Sequence, residues 1–212
     1  MEVRKKSPLC GRGLRVGLLG GSFNPAHEGH RRISELALQR LGLDMVWWLV
    51  SPQNPLKPHT DMAPFADRLA GAKVLARHPR IRVSDLEARL GTRYSVDTIT
   101  RLQARHPHTR FVWILGADNL IQLPTWRHWT RFFERVAIAV FDRPSYSHQA
   151  LAGRAARRYA RFRIASNEGH ALPQLDPPAW IFLWAAHSSA SATALRAATS
   201  PPPGATQPEN ST

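Results

Sequence analysis

The sequence predicts an α/β fold, a parallel sheet with helices on both faces. Three observations predict it. Apolar runs of strand length recur at residues 14–19, 44–50, 111–115, 136–141 and 179–184. Segments with helical spacing of apolar residues lie between them. The runs are apolar throughout rather than alternating, as expected for parallel strands covered on both sides. Strands and helices that alternate at this spacing imply right-handed crossovers and a Rossmann-like arrangement. Ligands in such sheets sit beyond the carboxyl ends of the strands.

Each element has its own local signal. Residues 1–13 are polar and basic, contain glycine, and are expected to form a flexible arm. After strand 14–19, Gly20, Gly21, Asn24 and Pro25 predict a tight loop. Ile33, Leu36, Ala37 and Leu41 fall at i, i+3, i+4 and i+8 and predict a helix that Gly42 ends. Strand 44–50 leads into a proline-rich loop at 51–63. Residues 64–77 read as helix, with Pro64 suited to the first turn. Ile81 and Val83 mark a short strand, and 96–104 a helix. Strand 111–115 is closed by Gly116. Residues 117–135 read as two short helices broken at Pro124. Strand 136–141 stops at Asp142-Arg143-Pro144. A helix at 148–160, an extended piece at 162–165, strand 179–184 and an alanine-rich helix at 192–199 complete the pattern. Residues 200–212 (SPPPGATQPENST) have the composition of a disordered tail. One domain over 14–199 lies between arm and tail.

Composition narrows the class. The chain has 212 residues, 43% hydrophobic and 21% charged, which is globular and excludes disorder over the whole length. No apolar run approaches the roughly 20 residues of a membrane helix, and no secretory signal is visible. The single cysteine, Cys10, cannot form an internal disulfide or a cysteine zinc site, which fits a reducing cytoplasm. The net charge is +14, and only Lys5, Lys6, Lys57 and Lys73 of the 29 basic residues are lysine. The arginines are scattered, so the charge reads as compositional bias and a nucleic-acid partner is disfavoured. The densest group, Arg154, Arg157, Arg158, Arg161 and Arg163, reads as the solvated face of a helix entering a strand.

The segment Gly20-Gly21-Ser22-Phe23-Asn24-Pro25-Ala26-His27-Glu28-Gly29-His30 leaves the first strand and opens the first helix. Glycines there let backbone N–H groups approach a ligand, and a helix N-terminus suits a phosphate. His27 and His30 share one face of the first turn, where both imidazoles can donate to phosphate oxygens. The spacing fits neither G-x-G-x-x-G nor the P-loop, and a zinc helix would place its histidines at i and i+4.

This string resembles the phosphate-binding motif of the H-x-G-H nucleotidyltransferase superfamily. Later segments resemble bacterial nicotinate-nucleotide adenylyltransferases in particular. Gly116-Ala117-Asp118 through Leu123-Pro124-Thr125-Trp126 is similar to their G-A-D…L-P-x-W segment. Arg93-Tyr94-Ser95-Val96-Asp97-Thr98 resembles S-Y-T-x-D-T, and Ser191-Ala192-Thr193-Ala194-Leu195-Arg196 resembles S-S-T-x-I-R. Residues 51–57 (SPQNPLK) stand in place of a lysine-ending loop. Asn24, Ser95 and Ala192 depart from the usual aspartate, threonine and serine, and the loop lacks P-P-H-K before Lys57.

The resemblance implies transfer of AMP from ATP to nicotinate mononucleotide, giving nicotinate adenine dinucleotide and pyrophosphate in NAD biosynthesis. It implies catalytic roles for His27, His30, Lys57 and Arg196. Gly20, Gly21, Ser22, Phe23, His27, His30, Gly116, Asp118, Ser191, Thr193 and Arg196 would contact ATP. Asn24, Lys57, Tyr94, Ser95 and Trp126 would contact the nicotinate nucleotide. Mg2+ would arrive with ATP, without a dedicated protein cage. Asp118 reads equally as a ribose acceptor or a helix cap, and Trp126 as a ring-stacking or a core residue. Trp47, Trp48 and Trp129 read as packing. Alternatives are an enzyme acting on nicotinamide mononucleotide, a phosphopantetheine adenylyltransferase, and a basic nucleic-acid-binding protein that kept the fold without activity. A homo-oligomer is left open.

Overall fold

The structure is a computed structural model that describes residues 13–52 and 62–184. Its strands are β1 (Arg15–Gly21), β2 (Met45–Val50), β3 (Ile81–Ser84), β4 (Arg110–Gly116), β5 (Ala137–Phe141), β6 (Arg163–Ile164) and β7 (Trp180–Leu183). They form one sheet in the order β3-β2-β1-β4-β5-β7-β6, and every pairing is parallel. The helices are α1 (Glu28–Arg40), α2 (Phe65–Leu75), α3 (Leu86–Leu90), α4 (Ser95–Arg105), α5 (Ala117–Gln122), α6 (Trp129–Phe133), α7 (Ser147–Ala152) and α8 (Arg154–Arg158).

Two cores, one on each side of the sheet, explain the continuous apolar strands. In β2, Trp47 and Leu49 face the side covered by α4 to α8. Val46, Trp48 and Val50 face the side covered by α1, α2 and the 3-10 stretch Ser166–Gln174. Successive side chains alternate between the faces, so both must be apolar. Trp47 and Trp48 are buried in these cores, as the sequence suggests. Trp129 is only half-buried against them.

Several local expectations need correction. The first strand runs on through Gly20 and Gly21, which pair with Leu49 and Val50. Glycine punctuation there marks the end of a strand rather than a loop. The 148–160 helix breaks at Gly153, whose extended backbone separates α7 from α8. Gly116, not Asp118, is the N-cap of α5. The sequence pattern shows neither α3 nor the 3-10 stretch: α3 is a helix of only five residues, too short for its Leu86–Leu90 pair to stand out as a repeat, and 3-10 turns have no 3.6-residue stripe. The 192–199 helix, the tail and most of the arm and the 51–63 loop lie outside the described residues. Arg154, Arg157, Arg158, Arg161 and Arg163 are all exposed, as expected, with Arg161 laid 4.6 Å over the Phe162 ring. Among the described residues no helix is long and apolar enough to cross a membrane.

Candidate active site

Neighbouring strands β1 and β4 send the chain in opposite directions, β1 onward to β2 and β4 onward to β5. A crevice opens at such a switch point. Here it is a cavity of about 270 Å3. Its walls come from Gly20, Gly21 and Ser22 at the end of β1, Ser51 after β2, and Tyr94 to Val96 at the start of α4. Trp113 of β4 and Asn119 of α5 close the far side with Trp126 and Arg127. A Cβ on Gly20 would lie 3.0 Å from the Trp113 ring, so the glycine lets the indole form a wall.

The histidine pair sits where β1 feeds α1. His27 is the N-cap and His30 the third helical residue, with ring centroids 3.9 Å apart. A Cβ on Gly29 would fall 2.9 Å from His27 Nδ1, so the glycine between the histidines is what lets the His27 ring fold over the helix. The His27 backbone N–H donates to His30 Nδ1 at 3.2 Å. That assigns the remaining His30 proton to Nε2, as a free donor. Burial, with the adjacent His27, pushes the His30 pKa down to about 4. His30 is therefore neutral near pH 7 and offers a hydrogen bond rather than a charge. Its ring also packs 4.7 Å from that of Phe23, which is buried and stacks 5.1 Å from Trp48.

A second polar centre lies at the end of β4. Asp118 Oδ2 accepts from Arg143 at 2.7 Å, while Oδ1 is buried with no partner among the described residues. A Cβ on Gly116 would come within 2.5 Å of Oδ1, so only glycine lets the carboxylate fold back onto the strand end. A buried unpaired oxygen is costly, and a donor such as a ribose hydroxyl would satisfy it. The Trp113 indole N–H in the cavity wall is likewise buried and unpartnered among the described residues. Arg143 follows β5 and lies close enough to depress the His30 pKa, so it connects the two polar centres.

The third part of the cavity is aromatic and basic. Tyr94 caps α4, whose first amides, Ser95 and Val96, border the cavity. Such amides have no partner within the helix and favour an anion. Trp126 is half-buried, with its ring 5.7 Å from Phe132, and lines the same wall. Trp126 thus packs on Phe132 and also presents surface to the cavity. The Arg127 guanidinium lies 4.8 Å from the Tyr94 ring centroid and Arg93 6.0 Å from it.

Glu87 of α3 faces this pocket from below. Thr98 Oγ1 donates to it at 3.1 Å, yet burial pushes its pKa up to about 7. The folded state therefore holds a proton that the unfolded chain releases at the ordinary value of 4.5. The stability this contributes is complete below that value and is lost as pH rises through about 7. The upper bound is about 3 kcal/mol. The difference in Tm between Glu87→Gln and wild type should therefore grow as pH is raised from about 5 to about 8. A difference that stays constant across that range would show that Glu87 keeps its ordinary pKa.

The structure thus brings together Gly20, Gly21, Ser22, Tyr94, Ser95 and Trp126 around one cavity, with His27, His30, Gly116 and Asp118 at the same end of the sheet. Asn24 lies on the loop between, its side-chain oxygen accepting from the Ala63 N–H at 3.1 Å. Phe23 turns its ring into the core, so only its backbone remains for a ligand. Lys57, Ser191, Thr193 and Arg196 lie outside the described residues. Sequence reading missed Glu87, Arg93, Arg127, Arg143 and Trp113. Arg93 opens one motif segment, Arg127 stands in the other beside Trp126, and Arg143 sits in the strand stop Asp142-Arg143-Pro144, but nothing local gives them a role beyond that of other surface arginines.

Fold and site together define a nucleotide-binding α/β protein with a histidine pair at the start of its first helix. Residues 18–198 match the family model described as cytidylyltransferase-like. A relative from Parvibaculum lavamentivorans, named "Probable nicotinate-nucleotide adenylyltransferase", is 54% identical over 87% of this chain and 92% of its own length. One of the same name from Bradyrhizobium sp. (strain ORS 278) is 50% identical over 86% and 95%. A solved structure of Plasmodium falciparum nicotinic acid mononucleotide adenylyltransferase complexed with NaAD shares the fold, with a TM-score of 0.62, 15% identity and coverage of 83% of this chain and 77% of that one. The chain belongs to the cytidylyltransferase-like family and, within it, to the nicotinate-nucleotide adenylyltransferases.

Proposed function

We propose that the chain transfers AMP from ATP to nicotinate mononucleotide, the adenylyl-transfer step of NAD biosynthesis. The observation that carries this reading is a cavity whose aromatic pocket is flanked by Arg93 and Arg127, at the same end of the sheet as the His27–His30 pair. A phosphate oxygen of the mononucleotide attacks the α-phosphorus of ATP. The bond to the bridging oxygen breaks, and pyrophosphate leaves with the electron pair. The nucleophile is already an anion, so catalysis is alignment and neutralisation of charge.

Each residue then has a role. His27 and His30 donate to phosphate oxygens, and the backbone of Gly20 to Phe23 lets them approach. Asp118 accepts from the ribose of ATP through its unpaired Oδ1, beside the Gly116 strand end. Trp126 stacks on the pyridine ring, while Tyr94, Ser95 and the start of α4 hold its carboxylate, with Asn24 nearer the phosphate. By their motifs alone, Lys57 and Arg196 add positive charge, and Ser191 and Thr193 hydroxyl contacts. Magnesium would arrive as a companion of ATP, held largely by phosphate oxygens and water. When bound it neutralises charge on the departing pyrophosphate. The catalytic unit is a single domain over 14–199, working in the cytoplasm.

A cationic pocket favours the carboxylate of nicotinate over the amide of nicotinamide. Purified protein with ATP and magnesium should release pyrophosphate with nicotinate mononucleotide, and at least about tenfold more slowly with nicotinamide mononucleotide. Phosphopantetheine should give none. Equal rates with the two pyridine nucleotides would mean that Arg93 and Arg127 do not read the carboxylate. Release with none of them would overturn the assignment.

A further inference from the structure

One buried cation has no part in the site as described. Arg68 of α2 is 4% exposed, and among the described residues it has no carboxylate partner. Its guanidinium is spent entirely on backbone carbonyls. Nε donates to Ala63 at 2.9 Å and Nη2 to Pro52 at 2.9 Å. Nη1 donates to Ser51 at 2.9 Å and also to Ser22. One side chain therefore ties the loop after β1, the exit from β2 and the approach to α2. The fork of five donors makes arginine suited to this and lysine not.

The grip on Ser22 has a directional consequence. In a trans peptide the C=O of one residue and the N–H of the next point opposite ways. Holding the Ser22 carbonyl against Arg68 turns the Phe23 N–H away from the guanidinium. Nothing among the described residues accepts from that N–H. Phe23 has a φ of 48°, its buried ring fixes the turn, and Ser22 lines the cavity.

We propose that Arg68 is a positioning residue for anion binding: by gripping the Ser22 carbonyl it aims the Phe23 amide as a phosphate donor and joins the β1 loop and the exit from β2 at Ser51 and Pro52 into one rim. Arg68 touches no substrate itself. Its formal positive charge, matched by no carboxylate among the described residues, adds to the field that draws anions to the rim. This role rests on the phosphate-binding reading of the β1 loop given above.

The test uses the full chain and inorganic pyrophosphate as probe. In 15N-labelled wild type, the Phe23 amide resonance should shift as pyrophosphate is added. Arg68→Lys keeps the charge but loses the fork. It should fold, bind pyrophosphate at least about tenfold more weakly, lose the Phe23 shift, and turn over about 100-fold more slowly. Arg68→Gln should show the same losses more strongly. A folded Arg68→Lys protein with wild-type pyrophosphate affinity overturns the proposal. So does a wild-type Phe23 amide that ignores pyrophosphate, and that resonance decides alone if neither variant folds. Pyrophosphate binding is read without turnover, so an enzyme acting on another mononucleotide would leave this result intact while sinking the substrate assignment.

Discussion

His30→Ala should lower kcat by about 100- to 1000-fold, the usual cost of removing one preorganised donor to developing phosphate charge. The reason is specific to its setting. The His27 N–H occupies Nδ1, burial keeps the ring neutral, and Nε2–H is left as the donor. The variant should keep its circular-dichroism spectrum. Its Tm should drop a few degrees, because the ring packs against Phe23 and lies 5.9 Å from Trp48. His30→Gln retains an N–H and should recover part of the rate. An Ala variant that is folded and active would make His30 a packing residue. One that loses activity only in proportion to folded protein would do the same.

Trp126→Ala should act on binding instead. Stacking of an aromatic side chain on a flat heterocycle is worth about 1–3 kcal/mol, so KM for nicotinate mononucleotide should rise about 10- to 100-fold. KM for ATP should barely move, because the ATP contacts proposed for Asp118 and the β1 loop do not involve Trp126. Trp126→Phe should restore most of the affinity. Equal rises in both KM values would mean that the substitution collapses the cavity through Phe132, on which Trp126 leans.

The fold was legible because its signals are local. Val46 to Val50 is apolar at every position only because two cores claim alternate side chains. The site was legible where glycine carries meaning. Gly29 and Gly116 each make space that a Cβ would fill, for His27 Nδ1 and Asp118 Oδ1 respectively. The arginines were not legible. All but four of the chain's 29 basic residues are arginine, and nothing near Arg68 announces that carbonyls at Ser22, Ser51, Pro52 and Ala63 converge on it. Burial of Glu87 was hidden in the same way. Its partner Thr98 lies 11 positions on, in a separate helix, so no repeat within one helix links them.

The tryptophan at the mouth of the cavity gives the molecule a built-in optical reporter. Trp126 stands half-exposed on the wall where a ligand would seat, whereas Trp47, Trp48 and Trp180 are sealed in the cores. Occupancy of the pocket should therefore change the emission of Trp126 and of Trp113, whose indole also lines the cavity, against the steadier signal of those three. Binding can then be followed without label or turnover, one substrate at a time, and the order in which the two nucleotides enter becomes a question for a fluorimeter.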